Sequence, residues 1–475
     1  MTRPCPCRCS ATASAALFLT VAVSIAAAQQ PRFLPGEQGS RNIHVVSHVP
    51  LGRMFTVADI EMEQELARPY AYVARMHGIT HSSGFSIIKL KDPSKSSVLY
   101  SYRIQEPDLH VGYGGMQNKY FKYRGKYYDV QSFQFAQGGP DADLGAIVFD
   151  VTGLPDTMTI KEVGRIRVPE APGGFHNVYT YKHSDGRVLM FSTVQAPYAN
   201  IYDMGKFVSG DPNQGLIGKI PNPSSSQLRG YHDFYVGYDP TTHQDKFYGP
   251  GAGGYYLFDV THPESPKLIT SIVGAAGVGG GHTFTPSPDG RYAVAETEYQ
   301  YAPLRIFDLK PGLEGTVQSI SRPIGAWTAR WKGLPHNHEV RWPYVFVSAY
   351  EDGLWVFNMM DPTNPYTVGY YSTYDGPFKR GWNGPTDPEG IGPLIDAGLP
   401  LPAGAGSGIS SGAFGIEVRN ADGLIAISDM NTGFWAFKME GFDGWNGHQW
   451  GMPNISSAQD WDNGPEGAPK AGKIS

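Results

Sequence analysis

Four histidines stand in look-alike settings along the chain. GGFHNVYTY holds His176, RGYHDFYVGY holds His232, GGGHTFTPSP holds His282 and LPHNHEVRW holds His338. In each, small or aromatic residues lead into the histidine and a strand-like run follows, at separations of about fifty residues. The same position upstream reads Gln117 in GGMQNKYF and Asp59 in TVADIEM; downstream it reads Ile416 in GAFGIEVR. Neutral imidazole is the commonest biological metal ligand and suits zinc, copper, iron and nickel. Four imidazoles and the Gln117 amide, with no thiolate to compete, favour copper over zinc, iron or manganese. Water or substrate would fill a vacant coordination position. That chemistry is a metal-dependent oxidoreductase. The alternative is that these histidines bond neighbouring backbone or carboxylates and tie strands together.

A second group accompanies the first. In VAETEYQ, Glu296 and Glu298 share one strand face by the period of two, which makes them the candidate general acid/base pair. Glu351, Asp352, Asp429, His77 and His81 end similar runs near the same rim and read mostly as solvated turn residues or caps. His336, two residues before His338, is either an extra ligand or structural. Other chemistries are absent: the chain has no GxSxG elbow, no P-loop, no EF-hand loop and no GxGxxG leading from strand to helix. GVGGGH before His282 is glycine-rich but runs into a strand, without the helix N-terminus that phosphate needs.

Residues this far apart converge only if the fold repeats. One phrase does repeat: a few apolar residues, then Asp or Asn, then a Pro or Gly turn. It reads GFSIIKLKDP, GAIVFDVTGLP, ANIYDMGKF, YYLFDVTHPESP, LRIFDLKPG, GLWVFNMMDPTNP and GFWAFKMEG. Each copy is flanked by other strand-like runs, such as PYAYVAR and RVLMFST before it and SVLYSYRI and YTVGYYS after it. Four short strands per repeat and seven repeats predict an all-β, seven-bladed β-propeller of four-stranded antiparallel blades. The last copy has no fourth strand after it. NIHVVSHVP from Asn42 supplies one, closing the ring by pairing the chain ends. In such a fold the first strand of each blade lines the central channel. The histidines would then face the axis, with Asn177, Asp233 and Glu339 held between blades.

The phrases IVFDVTGLP, YLFDVTHP, RIFDLKPG and WVFNMMDP resemble the LVIVD repeat of secreted bacterial β-propellers, over roughly 42–440. The resemblance implies the fold and says little of activity. A looser analogy is to the selenium-binding protein and methanethiol oxidase propellers, which carry histidines on their strands.

The remaining segments bear on location and partners. Arg3 and Arg8 precede an apolar run and small residues, the order of a signal peptide over 1–28; a retained anchor is the alternative. All three cysteines, Cys5, Cys7 and Cys9, lie inside it, so the processed chain has no disulfide and no thiol ligand. A secreted or periplasmic protein is expected, with no membrane span in the mature chain. Net charge is −6, and no basic tract invites nucleic acid. The partner expected is a small molecule or an extracellular protein, and a non-catalytic binding or scaffold propeller is the alternative function. The Gly/Pro-rich stretch 374–412 interrupts blades six and seven, and an irregular tail follows from 441 to 475.

Overall fold

The computed structural model describes residues 38–52, 56–76, 83–136, 138–224, 229–239, 242–299, 302–329, 333–373 and 412–445. The strands form seven antiparallel sheets arranged as a seven-bladed propeller. The signature phrase becomes the third strand of each blade, and in blades two to six its Asp or Asn ends that strand. Asp150, Asp259, Asp308 and Asn358 each accept a hydrogen bond from the backbone N–H two residues on, at 2.8–3.0 Å. This is the Asx turn that a short polar side chain favours over continuing a strand. The phrase often opens on glycine for a different reason. At Gly84 (φ +153°) and Gly353 (φ +78°) an added methyl would overlap the Tyr102 and Tyr371 carbonyls on the neighbouring fourth strand.

Blade seven consists of Ala413–Val418, Ile425–Asp429 and Gly433–Met439, completed on its outer edge by Ile43–Val49. Ile43 pairs with Met439 and Val49 with Phe434, so the two ends of the chain close the ring as expected. Blade four carries an addition that the repeat does not announce. Ser319–Ile320 pairs in parallel with its outer strand, Lys267–Val273. Between blades the faces are apolar: Tyr72, Phe85, Phe133 and Phe149 fill the gap between blades one and two. Phe346, Val356, Ile427 and Phe437 do so between six and seven. No helix among the described residues is long and apolar enough to cross a membrane.

The first strands surround the axis, and their polar residues meet there in layers. Gln117 of blade two donates to Asp59 of blade one at 3.0 Å, and accepts from the Val178 N–H of blade three at 2.7 Å. Asn337 of blade six approaches the same Asp59 carboxylate at 3.4 Å, past blade seven. Blade seven has Gly415 at this level, where a methyl would collide with the Asp59 carboxylate. One pleat further along, Lys119 bonds Glu61 at 2.6 Å and Glu417 at 3.2 Å, all buried. A cavity of ≈ 50 Å³ lies between these layers, large enough for water. Asp233 and Glu339, expected between blades, line this cavity instead.

Residues 1–28, expected to form a signal peptide, His77, His81 and nearly all of the insert and tail lie outside the described residues. At the start of the tail, the Trp445 indole donates to the Trp342 carbonyl at 3.0 Å, with the Arg341 guanidinium 5.8 Å from its ring.

Candidate metal centre

The histidines come together at one mouth of the axis, just before the first strands of blades three to six begin. The rings of His176 and His232 lie 4.4 Å apart, those of His232 and His282 4.0 Å, and those of His282 and His336 4.6 Å. The fourth ring is thus His336, not His338. His338 sits two residues further along its strand, with Nδ1 3.0 Å from the Thr283 hydroxyl, beside the axial cavity. A period of two keeps both on one side of the chain at different depths, which the context LPHNHEV cannot separate on its own. A subtler signal does. A short polar residue follows each ring member: Asn177, Asp233, Thr283 and Asn337. Gln117 is displaced for the same reason. It belongs to the layer below, bonded to Asp59, and takes no place in the ring series.

The glutamates complete the site. Paired strands bring the end of Tyr292–Glu296 beside the start of Thr283–Pro286, with Thr283 opposite Glu296. Glu296 Oε2 lies 2.7 Å from His282 Nδ1. The chain then turns through Glu298 in a left-handed conformation (φ +46°), which brings its carboxylate to the other side of the imidazole. Glu298 Oε2 is 3.4 Å from His282 Nε2, and Oε1 is 3.9 Å from His336 Nε2. The two carboxylates thus flank His282. Tyr350, at the end of the second strand of blade six, donates its hydroxyl to Glu298 at 2.6 Å.

Donor atoms of His232, His282 and Glu298 all lie within 4.8 Å of one another, an arrangement that can hold a metal ion. Two of the ring nitrogens, His232 Nδ1 and His282 Nε2, are buried without a hydrogen bond. His282 Nδ1 faces both Glu296 and the His336 carbonyl, at 2.7 and 3.1 Å, which leaves Nε2, turned toward Glu298, as the ligand atom; a carboxylate behind a ligating imidazole is the usual orienting arrangement. His336 likewise donates from Nδ1 to the Phe414 carbonyl at 2.7 Å, so its Nε2 carries the lone pair. His176 Nδ1 meets the Gln134 amide oxygen at 2.6 Å.

No family model matches this chain, and no curated protein does. What the site can do therefore rests on its own electrostatics.

Burial and the charge of His282 push His336 down to about 3. His232 is held well below the ordinary imidazole range by burial, then by His282 and Arg229; His176 is lowered by burial, then by Arg229 and His282. These three are neutral and able to ligate. Burial alone would lower His282 too, but the Glu298 and Glu296 carboxylates raise it to about 9. Burial would raise Glu298, yet His282, His336 and the Tyr350 hydroxyl hold it below its usual value. Without a metal, His282 is thus an imidazolium between two carboxylates, and a divalent cation would take over the position of that proton.

Proposed function

We propose that this propeller is an exported metal-binding protein whose ion sits at the axial mouth, bound by His232, His282 and Glu298, with oxidoreductase chemistry as its role. The observation that carries the reading is the mutual approach of those three donors within 4.8 Å. Two buried ring nitrogens among them, His232 Nδ1 and His282 Nε2, make no hydrogen bond, which supports it. His176 and His336 stand beside the site as further imidazoles. Glu296 orients His282, and Tyr350 orients Glu298.

The expectation of copper rested on an all-nitrogen set with open positions. A carboxylate oxygen removes that ground. Two imidazoles and one carboxylate with vacant positions form the donor pattern of non-haem iron(II) sites. Iron is accordingly the ion we assign, ahead of copper, zinc and manganese. The ion would supply a redox centre and a Lewis acid for a substrate bound at the vacant positions. The leader-like order of charge, apolar run and small residues over 1–28 supports export.

A second reading has an observation of its own. His282 between Glu296 and Glu298 already makes an ion-paired clamp within blade five. On that reading the mouth is structural and the propeller a non-catalytic scaffold. Metal titration of tag-free protein separates the two. The metal reading expects saturable binding of one ion per chain, abolished by His232→Ala. The clamp reading expects no binding, and no effect of His232→Ala beyond a small change in melting temperature.

A further inference from the structure

The axial cavity carries a charge that its own side chains do not balance. Asp59 accepts hydrogen bonds from the Ile60 N–H at 2.8 Å, the Gln117 amide at 3.0 Å and the Asn337 amide at 3.4 Å, all neutral donors. Asp233 accepts from the Phe234 N–H at 2.8 Å, also neutral. Both carboxylates line the cavity. The cations nearby are engaged by other groups: Lys119 is held between Glu61 and Glu417, and Arg341 by Glu339 at 2.7 Å. Asp59, Glu61, Asp233, Glu339 and Glu417 thus set five carboxylates around the axis against two cations, Lys119 and Arg341. Charge withdrawn from water is costly unless it is paired.

A second observation concerns neutral groups on the same walls. Tyr179, Asn337 and His338 line the cavity and are each more than nine-tenths buried. The Tyr179 hydroxyl, Asn337 Oδ1 and His338 Nε2 make no hydrogen bond. Two of these side chains are fixed from their other end: Asn337 Nδ2 reaches Asp59, and His338 Nδ1 meets the Thr283 hydroxyl at 3.0 Å. Buried polar atoms without a partner call for an ion or ordered water. At ≈ 50 Å³ the cavity has room for an ion with a few waters.

We propose that the axial cavity binds one hard divalent cation, of the calcium or magnesium class, on the Asp59 and Asp233 carboxylates and the Asn337 amide oxygen. Oxygen donors are what such cations take, and magnesium keeps several of its waters when bound. Among the described residues, three histidine or acidic side chains converge to within 4.8 Å only at the mouth. The cation in the cavity is therefore held partly through water, for which the Tyr179 hydroxyl and His338 Nε2 are the partners. This site uses none of the three donors at the mouth and does not depend on an ion there. Its role is structural: it ties together the inner edges of blades one, four and six.

Melting temperature tests this, because unfolding equilibrates a buried site with solvent. The His232→Ala protein, whose mouth lacks a donor, is stripped with chelator and melted over a series of calcium chloride or magnesium chloride concentrations at constant ionic strength. With at least one of the two ions, its melting temperature should rise by on the order of 1–2 °C per tenfold increase in cation beyond saturation. Asp233→Asn in the same background should abolish the rise. Asn337→Asp, which adds a carboxylate to the same wall, should melt lower in chelator and gain more from the cation. No response to either ion overturns the proposal and leaves the cavity to water. A response that survives Asp233→Asn overturns it too, since the cation then binds elsewhere. If Asp233→Asn does not fold, Asn337→Asp decides, and a response equal to that of its parent overturns the proposal.

Discussion

His282 meets two demands with one ring. Nδ1 is held by Glu296 at 2.7 Å, and Nε2 faces Glu298 and the candidate ion position. Removing the orienting carboxylate while keeping its shape therefore isolates its contribution. Glu296→Gln should weaken metal affinity by roughly 10–100-fold, the usual effect of losing such a partner, with stoichiometry restored at saturating metal. Competition with a chelator of known affinity measures it, and unchanged affinity would make Glu296 a bystander. Histidines in repeated contexts were visible in the sequence, as were Glu296 and Glu298. The choice between His336 and His338 was not, because two histidines at a spacing of two fit the same strand. Nor did the sequence reveal that Glu298 takes a left-handed turn. Period-two reasoning places it on the strand beside Glu296, whereas the strand ends at Glu296.

At the scale of elements, the repeated phrase was the most readable feature of the chain. Its Asp or Asn caps a turn, and its glycine admits a carbonyl from the next strand, so both residue types have a local cause. Gly353 combines a positive φ with that close approach. Gly353→Ala should cost on the order of 1–3 kcal/mol in urea unfolding, through backbone strain and displacement of the Tyr371 strand. A cost near zero would mean that the strand edge is slack. Elements without a repeated cause stayed hidden. Ser319–Ile320 joins blade four through a parallel pairing of two residues, too short to carry a pattern. The layering along the first strands was also misread. Asp233 and Glu339 were expected between blades, but seven converging strands leave a central gap, and these polar side chains line it.

At the scale of the whole molecule, that axial column carries more carboxylates than cations, and pH should register it. Burial and the neighbouring Glu61 raise Glu417 to about 8, against the opposing pull of Lys119 and Arg341; Glu339 lies at about 7, raised by burial. The folded chain therefore keeps a proton on Glu417 up to about pH 8, while an unfolded glutamate releases it near 4.5. The folded state holds more protons across that window, so this contribution to stability declines as pH rises through it. Glu417→Gln, permanently neutral, should gain stability relative to wild type at about pH 9 and show little difference at about pH 5. Denaturant midpoints at the two pH values check it, and an equal difference at both would contradict it. Ring closure by Ile43–Val49 makes this column possible, since it fixes blade seven beside blade one and brings Glu417 against Glu61.

The central claim is that three groups from two neighbouring blades, His232, His282 and Glu298, hold one ion at the axial mouth. An anomalous difference map at the iron edge, from crystals of tag-free protein loaded with iron(II), tests it most directly. The account predicts a single strong peak within about 2.0–2.2 Å of donor atoms from all three residues, the usual length of metal–nitrogen and metal–oxygen bonds. No peak at the mouth, or a peak ligated by other residues, would contradict it.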